Sequence, residues 1–206
     1  MELSPQLVLE HFGVFVAAIT GVLAARGKRL DLFGVLVLAL VTAFGGGTVR
    51  DLLVGDGPVA WLRGPEFLLN AVLAALLTFS VESMRSIPRG ALAVADAFAL
   101  ALFTIIGTTK GVSLHFSAPV SVLLGVVTGV AGSILRDVLT GSIPALFQSS
   151  THLYATAAMS GAALFTTLHA LGHSGAIVTI TSTAVIVAVR LAAIKWHLTL
   201  PVYDPP

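Results

Sequence analysis

The chain has no cysteine and very little charge. The absence of cysteine excludes disulfides, thiolate metal sites and a cysteine nucleophile. Charged residues make up 10% of the 206 positions, whereas an ordinary globular protein has about 25%. The net charge is only +1 and no long basic run is present, so nothing indicates a nucleic-acid partner. The sequence contains neither a phosphate-binding loop nor a nucleophile elbow, and we predict no enzymatic activity, no metal site and no cofactor.

The chain contains several long apolar runs. Hydrophobic residues make up 56% of the chain, and the mean hydropathy is +0.99. A membrane span needs about 20 mostly apolar residues. We therefore predict an all-α membrane protein with seven transmembrane helices, at about 7–25, 32–54, 67–81, 91–108, 118–140, 153–171 and 175–194. Glu2 and Glu10 stand where a cleaved signal peptide would carry positive charge, so the first run is expected to remain as a span.

One unusual string occurs twice. TAFGGGTVRDLLVG begins at Thr42 and TGVAGSILRDVLTG begins at Thr128, a shift of 86 residues. Other residues coincide at the same shift, namely Phe12 and Phe98, Ile19 and Ile105, Gly21 and Gly107, Leu38 and Leu124, Ala71 and Ala157, and Phe79 and Phe165. Each copy contains three spans, and an odd number makes the second copy enter the membrane from the opposite side. We predict two inverted three-helix repeats, residues 1–90 and 91–172, followed by a seventh helix and tail, residues 173–206.

Lysine and arginine are distributed unevenly between the two sets of loops. One side holds Arg26, Lys28, Arg29, Arg85, Arg89, Arg190 and Lys195, and the other side holds Arg63 and Lys110. Cytoplasmic loops of membrane proteins carry the excess of positive charge. The bias predicts an N-terminus outside the cell and a cytoplasmic C-terminus, with a chance distribution as the alternative.

Small residues interrupt the second and fifth spans at corresponding positions, 45–47 and 131–133. Glycine in a helix interior costs about 1 kcal/mol relative to alanine, so we predict that helices 2 and 5 are broken there. The freed backbone carbonyls would line a polar cavity and bind a cation weakly. Close packing of helices through small residues is the alternative.

Four hydroxyl side chains lie near these positions: Thr42, Thr48, Thr128 and Ser133. Their oxygens are suited to replacing part of the hydration shell of a cation, which favours a role in lining a pore. The alternative is local, because serine and threonine in membrane helices often donate a hydrogen bond to a carbonyl one turn back.

An arginine and an aspartate follow each interruption, Arg50 with Asp51 and Arg136 with Asp137. Charged residues inside a membrane span are costly and usually functional. Neighbours on a helix point about 100° apart, so we expect crossed pairs, Arg50 with Asp137 and Arg136 with Asp51, across the repeat axis. These groups would line and tune a polar pore, and a purely structural ion-pair lock is the alternative.

Three further acids lie near the starts of spans. Glu10 and Asp96 are equivalent at the shift of 86 and open the first and fourth spans. An acid at a helix N-terminus is favoured by the helix dipole, and the alternative is an acid at a pore mouth that concentrates cations. Asp31 precedes the second span and is expected to cap it.

The doubled glycine and Arg-Asp motif, together with the three-plus-three-plus-one layout, resembles the prokaryotic branch of the trimeric intracellular cation channels. Bacterial members carry tandem domains also labelled as a glycine transporter or an uncharacterised membrane domain. The resemblance covers about residues 10–195 and implies a homotrimer in a bacterial or archaeal inner membrane, in contact with membrane lipid. It implies one pore per protomer for potassium and other monovalent cations. The implied hinge residues are Gly45, Gly46, Gly47, Thr48, Ala131, Gly132 and Ser133.

Two functions remain open from the residues alone. A passive channel for K⁺ or Na⁺ is preferred, because hydroxyls and backbone carbonyls suit a weakly held ion. The alternative is a secondary transporter of a small zwitterion such as glycine, because inverted repeats with interrupted helices are also typical of that class. No aromatic cluster that would occlude a substrate is evident near the interruptions, which favours the channel.

Overall fold

The computed structural model describes residues 5–85, 87–88, 90–148 and 153–199. These residues form seven α helices and two short 3₁₀ turns. The helices are α1 (Pro5–Ala24), α2 (Leu32–Val54), α3 (Pro65–Met84), α4 (Ala91–Ser113), α5 (Ala118–Leu139), α6 (Tyr154–Ala170) and α7 (Ala176–Trp196). The turns, Ala60–Leu62 and Ala145–Phe147, follow α2 and α5. The predicted all-α architecture of seven helices is confirmed.

Local chemistry explains the ends of α2 and α5. The Asp31 carboxylate caps α2 as expected, since its Oδ1 accepts a hydrogen bond from the backbone N–H of Gly34 at 2.8 Å. Gly55 follows α2 with φ of 67°, and Gly141 follows the end of α5 with φ of 65°. This left-handed conformation favours glycine, so both repeats leave their central helix through the same type of turn.

Four helices form the centre of the molecule. α2 packs on α5, α1 on both α2 and α4, and α4 on α5, so that each repeat contributes its first two helices. α3 packs on α1 at one side, whereas α6 and α7 pack together against α4 and α5 at the other. Helix α7 adds to the second repeat, and among the described residues no equivalent helix lies beside the first.

An apolar surface surrounds this centre. Six of the described helices, α1 to α5 and α7, are long and apolar enough to cross a membrane, and α6 has 17 residues. Large apolar side chains are exposed on the outer helices, as at Leu69, Leu73 and Leu77 of α3 and at Ile177 and Ile180 of α7. Their spacing of three or four residues places them on one face of each helix.

The predicted breaks in helices 2 and 5 are wrong, because both helices run without interruption through the small residues. The backbone carbonyls along these stretches can therefore accept hydrogen bonds within their own helix. They need no ion and no other partner in the lipid. The physical reason lies in the neighbouring helix. The glycines allow α2 and α5 to approach closely, and the resulting packing compensates for their low helix propensity.

Candidate functional site

The closest approach of α2 and α5 joins the two glycine strings. A methyl group added at Gly132 would lie 2.5 Å from the carbonyl oxygen of Thr42. In the equivalent position, a methyl group at Gly46 would overlap with the carbonyl oxygen of Thr128. The two contacts are related by the shift of 86 residues, so the repeats meet through a symmetric pair of glycines. Only a residue without a side chain fits at either position.

Each Arg-Asp pair forms its own local clamp at the end of the central helix. Arg50 Nε donates to Asp51 Oδ1 at 2.8 Å, and the other oxygen of Asp51 accepts from the backbone N–H of Ala60 at 2.8 Å. In the second repeat, Arg136 Nε donates to Asp137 Oδ1 at 2.9 Å, and the first N–H of the second 3₁₀ turn donates to the other oxygen at 2.9 Å. All four charged side chains are buried. The clamp thus connects each central helix to the loop that follows it.

The crossed pairing of Arg50 with Asp137 and of Arg136 with Asp51 is therefore wrong. The arginine side chain is long enough to bridge the angle between neighbouring helix positions, and a planar guanidinium can bind several oxygens at once. Pairing within one helix neutralises the aspartate without any help from the other repeat.

Asp96 joins the second clamp from α4. Arg136 Nη1 donates to Asp96 Oδ1 at 2.8 Å, and the Asp96 residue is only 6% exposed. The expectation of an acid at a helix N-terminus is wrong here, because α4 begins at Ala91 and places Asp96 beyond its first turn. The alternative of an acid at a pore mouth stays a prediction. Glu10 is likewise beyond the first turn of α1, which begins at Pro5. Both acids face the central helices instead.

A small cavity lies beside the second clamp, and we call it the second-repeat cavity. Its volume is about 10 Å³, roughly the space of one water molecule. Helices α1, α2, α4, α5 and α6 enclose it, and its wall includes Thr42, Gly46, Asp96, Thr128, Gly132, Ser133, Arg136 and Tyr154. Residues from both glycine strings thus surround one polar space.

An equivalent space, the first-repeat cavity, lies beside the first clamp. Its volume is about 30 Å³, and its wall includes Glu10, Phe44, Gly47, Arg50, Trp61 and Phe67. Phe103 of α4 contributes to the walls of both cavities. The aromatic ring of Phe103 therefore lies between the two cavities.

The hydroxyl groups near the glycines are all hydrogen-bonded. Thr42 Oγ1 donates to the carbonyl of Leu38 and Thr128 Oγ1 donates to that of Leu124, both at 2.6 Å. These are the bonds one turn back that formed the alternative interpretation. Both threonines also line the second-repeat cavity, and a hydroxyl that donates one bond keeps lone pairs for a ligand.

The two remaining hydroxyls contact aromatic residues. Thr48 Oγ1 accepts from Trp61 Nε1 at 3.1 Å, and Ser133 Oγ accepts from the Tyr154 hydroxyl at 2.9 Å. Among the predicted residues, Gly45 packs against Leu135 of α5. Ala131 is half-buried in α5, and neither it nor Gly45 contributes to the wall of a cavity.

The sequence predicts that Arg190 lies in a cytoplasmic loop, and this prediction is wrong. The residue lies within α7 and is 3% exposed. Lys195 also belongs to α7, but it is exposed in the last turn of the helix. The guanidinium of Arg190 lies 4.6 Å above the ring centre of Tyr154. The sequence could have drawn attention to Arg190, because it is an arginine inside an apolar run. No feature of the sequence distinguished Phe103, which contributes to the walls of both cavities.

Comparison with known proteins identifies the repeated unit. A family model described as a glycine transporter matches the chain twice, at residues 7–83 and 93–170. The two matches contain helices α1 to α3 and α4 to α6, respectively. Together they cover well over half of the chain and coincide with the two three-helix repeats.

Relatives and solved structures extend over nearly the full length. The chain is 41% identical over 204 residues to the UPF0126 inner membrane protein YadS of Escherichia coli K12, covering 95% of this chain and 94% of the relative. It is 38% identical to a UPF0126 membrane protein of Vibrio cholerae, covering 98% of this chain and 84% of the relative. The trimeric intracellular cation channel orthologue from Rhodobacter sphaeroides superimposes with a TM-score of 0.88 at 33% identity, over 94% of this chain and 98% of that chain. The chain therefore belongs to this bacterial membrane protein family, the prokaryotic branch of the trimeric intracellular cation channels.

Proposed function

We propose that the protein is a channel for monovalent cations such as K⁺ or Na⁺, with one path through each protomer of a homotrimer. Solved relatives at 33% and 29% identity are cation channels and share the fold at TM-scores of 0.88 and 0.86. The proposed path runs between α1, α2, α4 and α5 and includes the first-repeat and second-repeat cavities. The protein would lie in the inner membrane, as YadS does by its name.

One observation supports the location of the proposed path. Two cavities are related by the repeat and share the wall residue Phe103. Each is bordered by a clamped arginine and by an acid from the first helix of its own repeat. Ionisable side chains inside a membrane bundle carry a high free-energy cost and usually mark an ion or substrate path. A cavity of about 10 Å³ does not admit a hydrated ion, so the conformation corresponds to a closed state.

The orientation of the chain remains the one that the loop charges favour. Without Arg190, the cytoplasmic set still holds Arg26, Lys28, Arg29, Arg85, Arg89 and Lys195, against Arg63 and Lys110. We propose an N-terminus outside the cell and a cytoplasmic C-terminus. A reporter that is active only in the cytoplasm, fused after the last residue, should be active, and an inactive fusion would contradict this orientation.

Single-channel recording tests the function directly. Purified protein in planar bilayers is expected to give discrete K⁺ current steps, with a reversal potential that follows the K⁺ gradient. Bilayers without protein are the control. Silent bilayers together with saturable glycine uptake into proteoliposomes would overturn the channel and favour the transporter. Cross-linking of the same sample should give a trimer.

Phe103→Ala is expected to raise the K⁺ flux of proteoliposomes several-fold. The smaller side chain removes the apolar wall between the two cavities, and such constrictions close channels by excluding water. Phe98→Ala is the matched control, since this phenylalanine of α4 is partly exposed to the outside. Equal flux in both variants and in the wild type would show that Phe103 is not the barrier.

A further inference from the structure

The charges beside the two cavities are not equivalent, although the repeats are. In the second repeat, Asp96 and Asp137 are accompanied by two arginines, Arg136 and Arg190. In the first repeat, Glu10 and Asp51 are accompanied within the described wall by a single arginine. A further cation, Arg63, lies there in an exposed loop, where water and salt screen its charge. By formal charge, the acids and arginines of the second repeat are thus balanced, whereas those of the first repeat include one more acid than arginine.

Helix α7 is the source of this difference. It packs on α4 and α6 of the second repeat, and no helix in the part of the chain that the structure describes takes the same place beside the first. Its Arg190 side chain is only 4% exposed and lies 4.0 Å from Asp96 Oδ2, on the opposite carboxylate oxygen from the one that Arg136 binds. Its guanidinium stacks on Tyr154, which lines the cavity. The positive charge of Arg190 therefore lies close to the proposed path, behind the residues that form the cavity wall.

We propose that Arg190 is a specificity-determining residue of the cation path. It offsets the charge of Asp96 and so keeps the second-repeat cavity from binding cations, above all divalent ones, too tightly for them to leave. This inference rests on the proposed channel function, and it assigns to the unpaired seventh helix a role in ion selection. A conducting site must bind an ion strongly enough to admit it and weakly enough to release it. Because charges interact more strongly in a buried site than in water, one arginine a few ångströms away alters that balance.

The test compares Arg190→Gln with the wild type in planar bilayers. Block of the K⁺ current by Mg²⁺ should require about tenfold less Mg²⁺ in the variant, because one fewer positive charge near the path strengthens divalent binding. At low ionic strength, the selectivity for K⁺ over Cl⁻ should rise several-fold. Arg190→Lys keeps the charge and should restore the wild-type Mg²⁺ sensitivity, which a purely structural role of the guanidinium would not do.

Lys195→Gln is the matched control, because it removes a positive charge from an exposed position of the same helix. Its Mg²⁺ block should equal that of the wild type. If Arg190→Gln is unstable, the double variant Asp96→Asn/Arg190→Gln removes both charges, and its Mg²⁺ sensitivity should return toward the wild-type value. Wild-type Mg²⁺ block in Arg190→Gln would overturn the role of Arg190 while leaving the channel intact. Absence of wild-type K⁺ current would instead overturn the channel, and this inference with it.

Discussion

Replacing Gly46 with leucine is expected to abolish K⁺ conduction and to destabilise the protein by more than about 3 kcal/mol, an overpacking effect at the upper end of its usual range. Even one methyl group at this position would overlap with the carbonyl oxygen of Thr128 on α5. A backbone atom cannot rotate away as a side chain can, so α2 and α5 would have to separate. Thermal unfolding in detergent and flux in proteoliposomes measure the two effects.

The next glycine supplies a matched control. A methyl group at Gly47 would meet only the end of the Arg50 side chain, at 4.0 Å. Gly47→Ala should therefore be no less stable than the wild type, and it should gain up to about 1 kcal/mol from improved helix propensity. This pair also separates two explanations of the glycine run. If the glycines served to break the helix, Gly47→Ala would destabilise the protein, and that result would contradict the continuous α2.

Arg136→Gln is expected to destabilise the protein by about 3–5 kcal/mol, the usual cost of removing one partner from a buried ion pair. Arg136 bonds both Asp96 and Asp137, and all three side chains are buried. Its loss leaves two buried carboxylates without their donor from α5. Among the residues that the structure describes, Asp96 then has only Arg190, at 4.0 Å, and Asp137 has the N–H of Ala145, at 2.9 Å. The melting temperature of the purified protein, measured with and without the substitution, tests this expectation.

Two further variants make that result specific. Arg63→Gln removes an exposed arginine and should change the stability by less than about 1 kcal/mol. Asp96→Asn combined with Arg136→Gln leaves a pair of amides that can bond each other, so it should be more stable than Arg136→Gln alone. If all three variants melted together with the wild type, the buried cluster would not contribute to stability.

The spans and the repeat could be predicted from the sequence because both depend on local pattern. Apolar runs of sufficient length indicate the helices. The recurrence of the glycine and Arg-Asp motif at a constant shift indicates the duplication. The predicted second span, 32–54, coincides with α2 (Leu32–Val54). Binding of Asp31 to its own helix also depends only on neighbours in the chain, and that prediction is confirmed as well.

The state of the glycine strings could not be predicted in the same way. Helix propensity describes an isolated segment, whereas Gly46 and Gly132 serve contacts with residues of another helix. The sequence contains the small residues but does not show which carbonyl they approach. Packing therefore overrode propensity, and the alternative interpretation of close helix contact is the one that fits the structure.

The charge clusters depended even more on tertiary structure. The bond from Arg136 to Asp96 joins positions 40 residues apart, and the approach of Arg190 to the same acid comes from a helix outside the repeat. Symmetry suggested crossed pairs because it relates the two halves. It does not reveal that each arginine reaches the acid directly after it.

Pairing between adjacent residues has a consequence for biogenesis. A helix that contains Arg50 and Asp51 can bring both into the lipid as one neutral unit, because the 2.7 Å contact lies within the same helix. The energetic penalty for inserting a lone charge is thereby reduced while the chain is still being threaded into the bilayer. Each half can reach a membrane-compatible form on its own, before the other half has been synthesised.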